Sequence, residues 1–202
     1  MFYKTSDNDH NLPHDPFKSC VAPRPIGWIS TLGADGIANV APYSFFNGIA
    51  ASPPQVMYST NGKQPHGPKD TLENIRNTGE FVVNIATWEL REAMNITSQP
   101  SLPEEDEFAL AGLTPAPSRL VKPPRIGESP INMECKLVKT VDLLTDNPDL
   151  PNVMVIGEVL GIHIDESILT DGLVDSAKLQ LISRLGYMDY ARVESVFTMK
   201  RP

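Results

Sequence analysis

Cysteine is scarce in this chain. Two residues, Cys20 and Cys135, stand far apart in 202 positions and form no CxxC pair. That excludes a disulfide framework and a cysteine-based zinc site, and it points to a reducing cytoplasm. Histidine is almost as sparse: His10, His14, His66 and His163 are scattered, without the HxxxH spacing and nearby acid of a metal centre. No run approaches ~18 continuous apolar residues, so no transmembrane helix is expected. The polar, mixed-charge start from Met1 to His14 lacks the apolar stretch of a secretory signal. Basic runs are missing too. Net charge is −8 and the pI is near 5.0, whereas binding a phosphate backbone needs concentrated Lys and Arg. Nucleic acid and membrane surfaces are therefore not expected as partners. A small anionic cofactor stays open, because it needs only a local pocket of donors. There is no GxSxG, no P-loop, no GxGxxG opening a helix, no repeat and no low-complexity segment.

What the chain does have is proline, 19 residues of it, within an ordinary globular composition of 41% hydrophobic and 21% charged residues. Proline and glycine punctuate a series of short apolar, β-branched runs. Ile26 to Leu32 reads as a strand, Gly33 to Gly36 as a turn, and Ile37 to Ala41 and Ser44 to Ala51 as strands interrupted by Pro42. Gln55 to Thr60 alternates as a strand should. Asp70 to Thr78 reads as a short helix with Asp70 as N-cap, Glu73 completing a capping box and Gly79 as the stop. Phe81 to Ala86 follows as a strand buried on both faces, then a helix from Thr87 to Ile96 capped by Thr87. Residues 98–129 form a long proline-rich loop; Ile131 to Leu144 and Val153 to Asp165 are longer strands, and a last strand is expected near Val193 to Met199. Many short strands without βαβ alternation indicate a mainly β, antiparallel barrel with a few flanking helices, spanning residues 1–202 as one domain.

Three clusters carry possible chemistry. Ser30-Thr31 places two hydroxyls at a strand end before a glycine turn. In Asn39-Val40-Ala41-Pro42-Tyr43-Ser44, the proline breaks a sheet ladder and frees backbone groups to face a ligand. Lys69-Asp70-Thr71 opens a helix, where free N–H groups, the dipole, an ammonium and a hydroxyl make an anion site. Each has a plain structural alternative: a strand end, turn and core residues, or a helix cap with a solvated lysine. Trp28, Phe45, Phe46, Phe81 and Trp88 read as core, Cys135 as an inert thiol, and the run from Glu104 to Glu107 as a solvated charged face.

Taken in order, these stretches resemble the flavin reductase-like domain family of FMN-binding split barrels. The carrying residues are Arg24-Pro25-Ile26-Gly27-Trp28-Ile29-Ser30-Thr31, Gly36 to Phe46, Pro53-Pro54, Lys69 to Ile75 and Glu80 to Asn84. Ile126 to Pro130, Glu134-Cys135 and Arg184-Leu185-Gly186 leading to Tyr190 continue the pattern, so the similarity runs over residues 16–190. The resemblance implies a six-stranded Greek-key split barrel, FMN as the flavin, and a homodimer with the flavin near the subunit interface. Carried over by position, it sets Ser30 and Thr31 against the phosphate or ribityl chain. Asn39 and the backbone of Ala41, Pro42, Tyr43 and Ser44 would edge the ring, and Lys69, Asp70 and Thr71 would take the phosphate end. Asp70, itself an anion, is assigned to the helix cap or a ribityl hydroxyl, and Arg184 is a further contact. No residue is assigned as a general acid or base. Two functions follow from the resemblance: an NAD(P)H-dependent flavin reductase, or a flavoredoxin-like electron carrier without NAD(P)H turnover. A non-flavin, oligonucleotide-binding barrel is disfavoured by the acidic charge and by the lack of interleaved aromatic and basic residues.

Overall fold

Strands whose side chains alternate between two apolar environments are buried on both faces, and this principle organises the molecule. The computed structural model describes residues 1–65, 67–102 and 105–201. Its main sheet contains β1 (Gly27–Leu32), β2 (Ala38–Tyr43), β3 (Phe46–Ala51), β4 (Pro54–Asn61), β5 (Glu80–Ile85), β6 (Ile131–Leu143) and β7 (Asn152–Ile164). Neighbours run in the order β2-β1-β5-β6-β7-β4-β3, each pair antiparallel. The edge strands β2 and β3 are consecutive in sequence, joined only by Ser44 and Phe45. So short a link spans at most about 11 Å, so the sheet must curl until its two edges meet.

The expectation of six strands is corrected here: the sheet has seven strands, and no ladder joins β2 to β3 among the described residues. The β2 edge explains the open seam. The Val40 N–H is directed at the Glu107 carboxylate (3.4 Å). Pro42, two residues on, shares that outward side and has no N–H to offer.

Inside the curl lies a core of Ile29, Phe46, Val56, Tyr58, Phe81, Val83, Val153 and Val155, closed by Leu72 and Ile75 from α1 (Asp70–Thr78). The opposite face of β1 presents Trp28 to a second core with Val40, Met94, Phe108, Leu113 and Ile126. Elements covering this face include α2 (Arg91–Ile96), α3 (Glu107–Leu110) and a small ladder of Pro115–Ala116 with Arg125–Ile126. The proline-rich stretch 98–129 is therefore largely a wall of this second core. Its burial of Phe108 and Ile126 contributes on the order of 1.5–3 kcal/mol per side chain. Gly157 in β7 is required by close approach, since a Cβ there would stand 2.3 Å from Phe81 Cζ.

Several local expectations shift. α1 ends at Gly79 in the left-handed conformation (φ 73°) as expected, but its N-cap is Lys69, and Asp70 is the first helical residue. The second helix starts at Arg91 after Leu90, because Thr87 is held in a bridge to Leu181. The last strand is Tyr190–Arg192 rather than a run near Val193 to Met199; it pairs with Ile182–Arg184, which pairs with Arg24–Pro25. Trp28, Phe46 and Phe81 are core, but Phe45 is half-buried and Trp88 is 39% exposed. No helix among the described residues is long and apolar enough to cross a membrane.

Candidate functional site

The edge strand β2 is the spine of the site. Its inner side is satisfied by β1, and its outer side faces α3 and two cavities. The smaller, about 80 Å³, is lined by Asn39, Ala41, Pro42, Tyr43, Gln64, Lys69, Ser98 and Glu107 among others. The larger, about 570 Å³, shares Pro42 and Ser98 with it and adds Ser44, Arg24, Arg184 and Tyr190. On the far side of Asn39 a third cavity of about 300 Å³ is lined by Asp70, Asn74 and Glu107. Lys69 sits half-buried at the start of α1, its carbonyl accepting from the Leu72 and Glu73 N–H groups, while its ammonium has no hydrogen bond or ion pair among the described residues. Gln64 donates to Asp70 Oδ2 (3.1 Å), yet its own carbonyl oxygen is buried without a partner among the described residues.

Of the expected site residues, the fold brings Asn39, Ala41, Pro42, Tyr43, Ser44, Lys69 and Arg184 onto the two adjacent cavities. Tyr43 turns its ring into the core, 4.6 Å from that of Tyr58, and burial pushes its phenol up to about 12. Ser30, Thr31 and Thr71 are sealed from solvent and their hydroxyls bond internally. Ser30 Oγ donates to the Pro124 carbonyl (2.6 Å) and accepts from Asn84 (3.1 Å), fastening the 124–126 segment to β1. Asp70 lines the third cavity.

The residue missed in the sequence is Glu107. In the acidic run read as a solvated face, Glu104 lies outside the described residues and Glu107 is only 5% exposed. Glu107 Oε1 accepts from Asn39 Nδ2 (2.8 Å), and Asn39 Oδ1 accepts from Thr71 Oγ1 (2.8 Å). Asn74 Nδ2 donates to Thr31 Oγ1 (3.1 Å), which in turn reaches Asn39 Oδ1 (3.4 Å). The network has a direction, from amide and hydroxyl donors to a terminal carboxylate, and so it fixes which way the Asn39 amide points. Burial, with a smaller contribution from the Asp70 charge, pushes the Glu107 carboxyl up to about 7 against the pull of its hydrogen bonds. Spacing alone gave no signal for this, because the contact joins positions 68 apart. No group of three or more His, Cys, Asp or Glu among the described residues is placed to hold a metal ion. Cys135 is buried, and burial raises its thiol far above the usual range.

A curled antiparallel sheet whose open seam carries a proline-broken edge strand, a lysine ammonium without a partner among the described residues and two adjacent cavities defines a split-barrel binding protein. Residues 19–180 match the flavin reductase like domain family. An uncharacterized protein from Aquifex aeolicus is 43% identical over 193 residues, covering 95% of both chains. Nitrilotriacetate monooxygenase component B from Bacillus cereus is 31% identical with a TM-score of 0.90, covering 98% of each chain. Flavoredoxin of Desulfovibrio vulgaris (Miyazaki F) is 26% identical with a TM-score of 0.76, covering 89% of this chain and 91% of that one. The chain belongs to the flavin reductase like domain family.

Proposed function

We propose that this protein is an FMN-binding oxidoreductase, an NAD(P)H-dependent flavin reductase working as a homodimer in the cytoplasm. The observation that carries the reading is the adjacent pair of cavities along Asn39 to Ser44, with Lys69 at one end, its ammonium unpaired among the described residues. The residues fit the group. A half-buried ammonium without a partner suits the phosphate. The unpartnered Gln64 carbonyl oxygen suits a ribityl hydroxyl. The outward Val40 and Pro42 carbonyls of the edge strand suit a donor on the rim of a flat ring.

Bound FMN supplies the redox chemistry, accepting a hydride and returning electrons singly or in pairs. The protein's residues bind and orient. Lys69 holds the phosphate, Asn39 and the Ala41 to Ser44 backbone hold the ring edge, and Arg184 stands on the wall of the larger cavity. Ser30, Thr31 and Thr71 act through Pro124, Asn74 and Asn39 rather than by touching the ligand. Asp70 orients Gln64. The dimer is supported by the solvent-facing row Leu160, Ile162 and Ile164 on β7. Purified protein with a visible flavin spectrum that oxidises NADH or NADPH with free flavin supports the reductase. A bound flavin without turnover assigns the carrier role, in keeping with the similarity to flavoredoxin, and a colourless protein that takes up no FMN refutes both. Sedimentation of a flavin-loaded monomer removes the dimer.

A further inference from the structure

Beside the larger cavity, and sharing only Arg184 with the residues assigned to the flavin, lies a second cleft of about 520 Å³. It shares Met94, Asn95, Arg184, Met188 and Tyr190 with its neighbour and adds Trp88, Arg91, Ile182, Ala191 and Arg192. Its charge is out of keeping with the rest of a chain of net charge −8. Three guanidinium groups line it, against one carboxylate, Glu92, which is paired with Arg91 (3.3 Å) at the rim. Neither Arg184 nor Arg192 has a carboxylate within ion-pairing distance among the described residues.

The register of the small sheet aggravates the imbalance. Arg24 and Arg184 are direct cross-strand partners, an arrangement in which like charges repel. Burial first, and the Arg184 charge second, lower the pKa of Arg24. Arg24 escapes part of the cost by donating to the carbonyls of Lys18, Val21 and Leu185. Arg192 has no such outlet: its Nε is buried and without a partner among the described residues. The aromatic side is equally specific. Arg91 lies 4.0 Å and Arg192 5.2 Å from the Trp88 ring, and Arg184 lies 4.4 Å from that of Tyr190. Arg91 and Arg184 each spend one donor, on the Trp88 and Tyr187 carbonyls, and the guanidinium planes held against rings present flat faces and their remaining N–H donors together, beside Met94, Ile182 and Ala191.

We propose that the cleft framed by Trp88, Arg91 and Arg192 binds a planar aromatic anion, a flat ring bearing a carboxylate or phosphate. The anionic group relieves the excess of guanidinium charge, and the ring packs on the stacked side chains and the apolar floor. Because the cleft shares a wall with the cavity lined by Pro42 and Ser44, such a ligand sits next to the place proposed for the flavin ring. It thereby occupies a reactant's position, although its binding does not depend on that reading.

The chain offers its own reporter. It has two tryptophans, and Trp28 is fully buried with its indole N–H bonded to Thr97 (2.9 Å), so an emission change on ligand binding belongs to Trp88. Benzoate, adenosine 5′-monophosphate and the neutral isostere benzamide are titrated into purified protein of constant flavin content. At least one anion should change the emission saturably, with benzamide at least tenfold weaker. The tighter anion tells whether a carboxylate or a nucleotide is the natural source. Arg192→Gln and Arg91→Gln should each weaken that anion at least tenfold, while flavin absorbance and far-UV circular dichroism stay as in the parent. If one variant does not fold, the other decides the question. Emission indifferent to both anions, benzamide equal to benzoate, or folded variants that bind like the parent would each overturn the proposal. So would a Trp88 that acrylamide cannot reach, since the cleft would then be a subunit contact. Flavin uptake, read at visible wavelengths, separates this result from the proposed function.

Discussion

Glu107 sets a pH dependence that can be worked from the structure. In the unfolded chain the carboxyl ionises near its ordinary 4.5, whereas in the fold burial holds it to about 7. Between those values the native state keeps a proton that the unfolded state has lost. Stability therefore falls as pH rises from 4.5 to 7 and is level on either side. At about 1.4 kcal/mol per pH unit, the loss amounts to about 3 kcal/mol. Carboxylates that the fold holds low, such as Glu134 and Glu128, act with the opposite sign and at lower pH. A difference measurement isolates the one group. Urea unfolding of the parent and of Glu107→Gln, at matched flavin content from pH 4.5 to 8, should give a stability difference that moves by about 3 kcal/mol against the parent. The site should follow. The neighbours of Glu107 are both donors, the Asn39 amide and the Val40 N–H, so protonation removes an acceptor and loosens Asn39. FMN affinity should then titrate around pH 7, where the folded carboxyl ionises, in the parent and not in the variant. A stability difference that is flat with pH would mean that Glu107 stays ionised throughout, and the linkage to Asn39 and the flavin would fall with it.

Lys69→Ala should weaken FMN roughly tenfold or more and riboflavin little, as a charge-assisted bond is worth about 1.5–3 kcal/mol; equal losses measured for the two flavins would move the phosphate elsewhere. Glu134 accepts from the N–H groups of Arg119 (2.8 Å), Leu120 (2.6 Å) and Val121 (3.2 Å) and meets His163 Nε2 at 2.5 Å. Burial raises its carboxyl, but the His163 bond and the loop amides outweigh this and hold it low. Glu134→Gln turns an amide donor toward those donors and should cost about 2–3 kcal/mol in denaturant unfolding, with amide exchange at 119–121 accelerated first. Gly157→Ala drives a methyl into the Phe81 ring, 2.3 Å from Cζ, and should cost about 1–3 kcal/mol by thermal melting; pairing it with Phe81→Leu should recover part of the loss.

Much of the molecule was legible in its residues because the relevant physics is local. Alternation in Gln55 to Thr60, the continuous apolar run of Phe81 to Ala86 and the glycine stop at Gly79 each follow from side-chain period or backbone freedom within a few positions. The β2 segment could be singled out for the same reason: a proline inside a strand marks an edge, and an edge is where unpaired backbone meets a ligand. Lys69 and Asn39 followed from that local logic, and the fold puts both on the same cavity.

What the tertiary structure alone decided is which polar groups are spent. Ser30, Thr31 and Thr71 look like ligand donors in the sequence, but packing of α1 and the 124–126 segment encloses them, and an enclosed hydroxyl must bond within the protein. Glu107 looks like surface charge, but the fold carries it across to the edge of β2. Trp88 looks like core, but the bridge from Thr87 to Leu181 leaves it at the rim of a cleft between two arginines. The sequence by itself determined most of the strands and the edge at Pro42, and it named Lys69 as a candidate, since these depend on neighbours along the chain. Seam closure, the number of sheet strands, the direction of the Asn39 network and the cluster of guanidinium groups around Trp88 depend on neighbours in space, and only the folded chain supplies those.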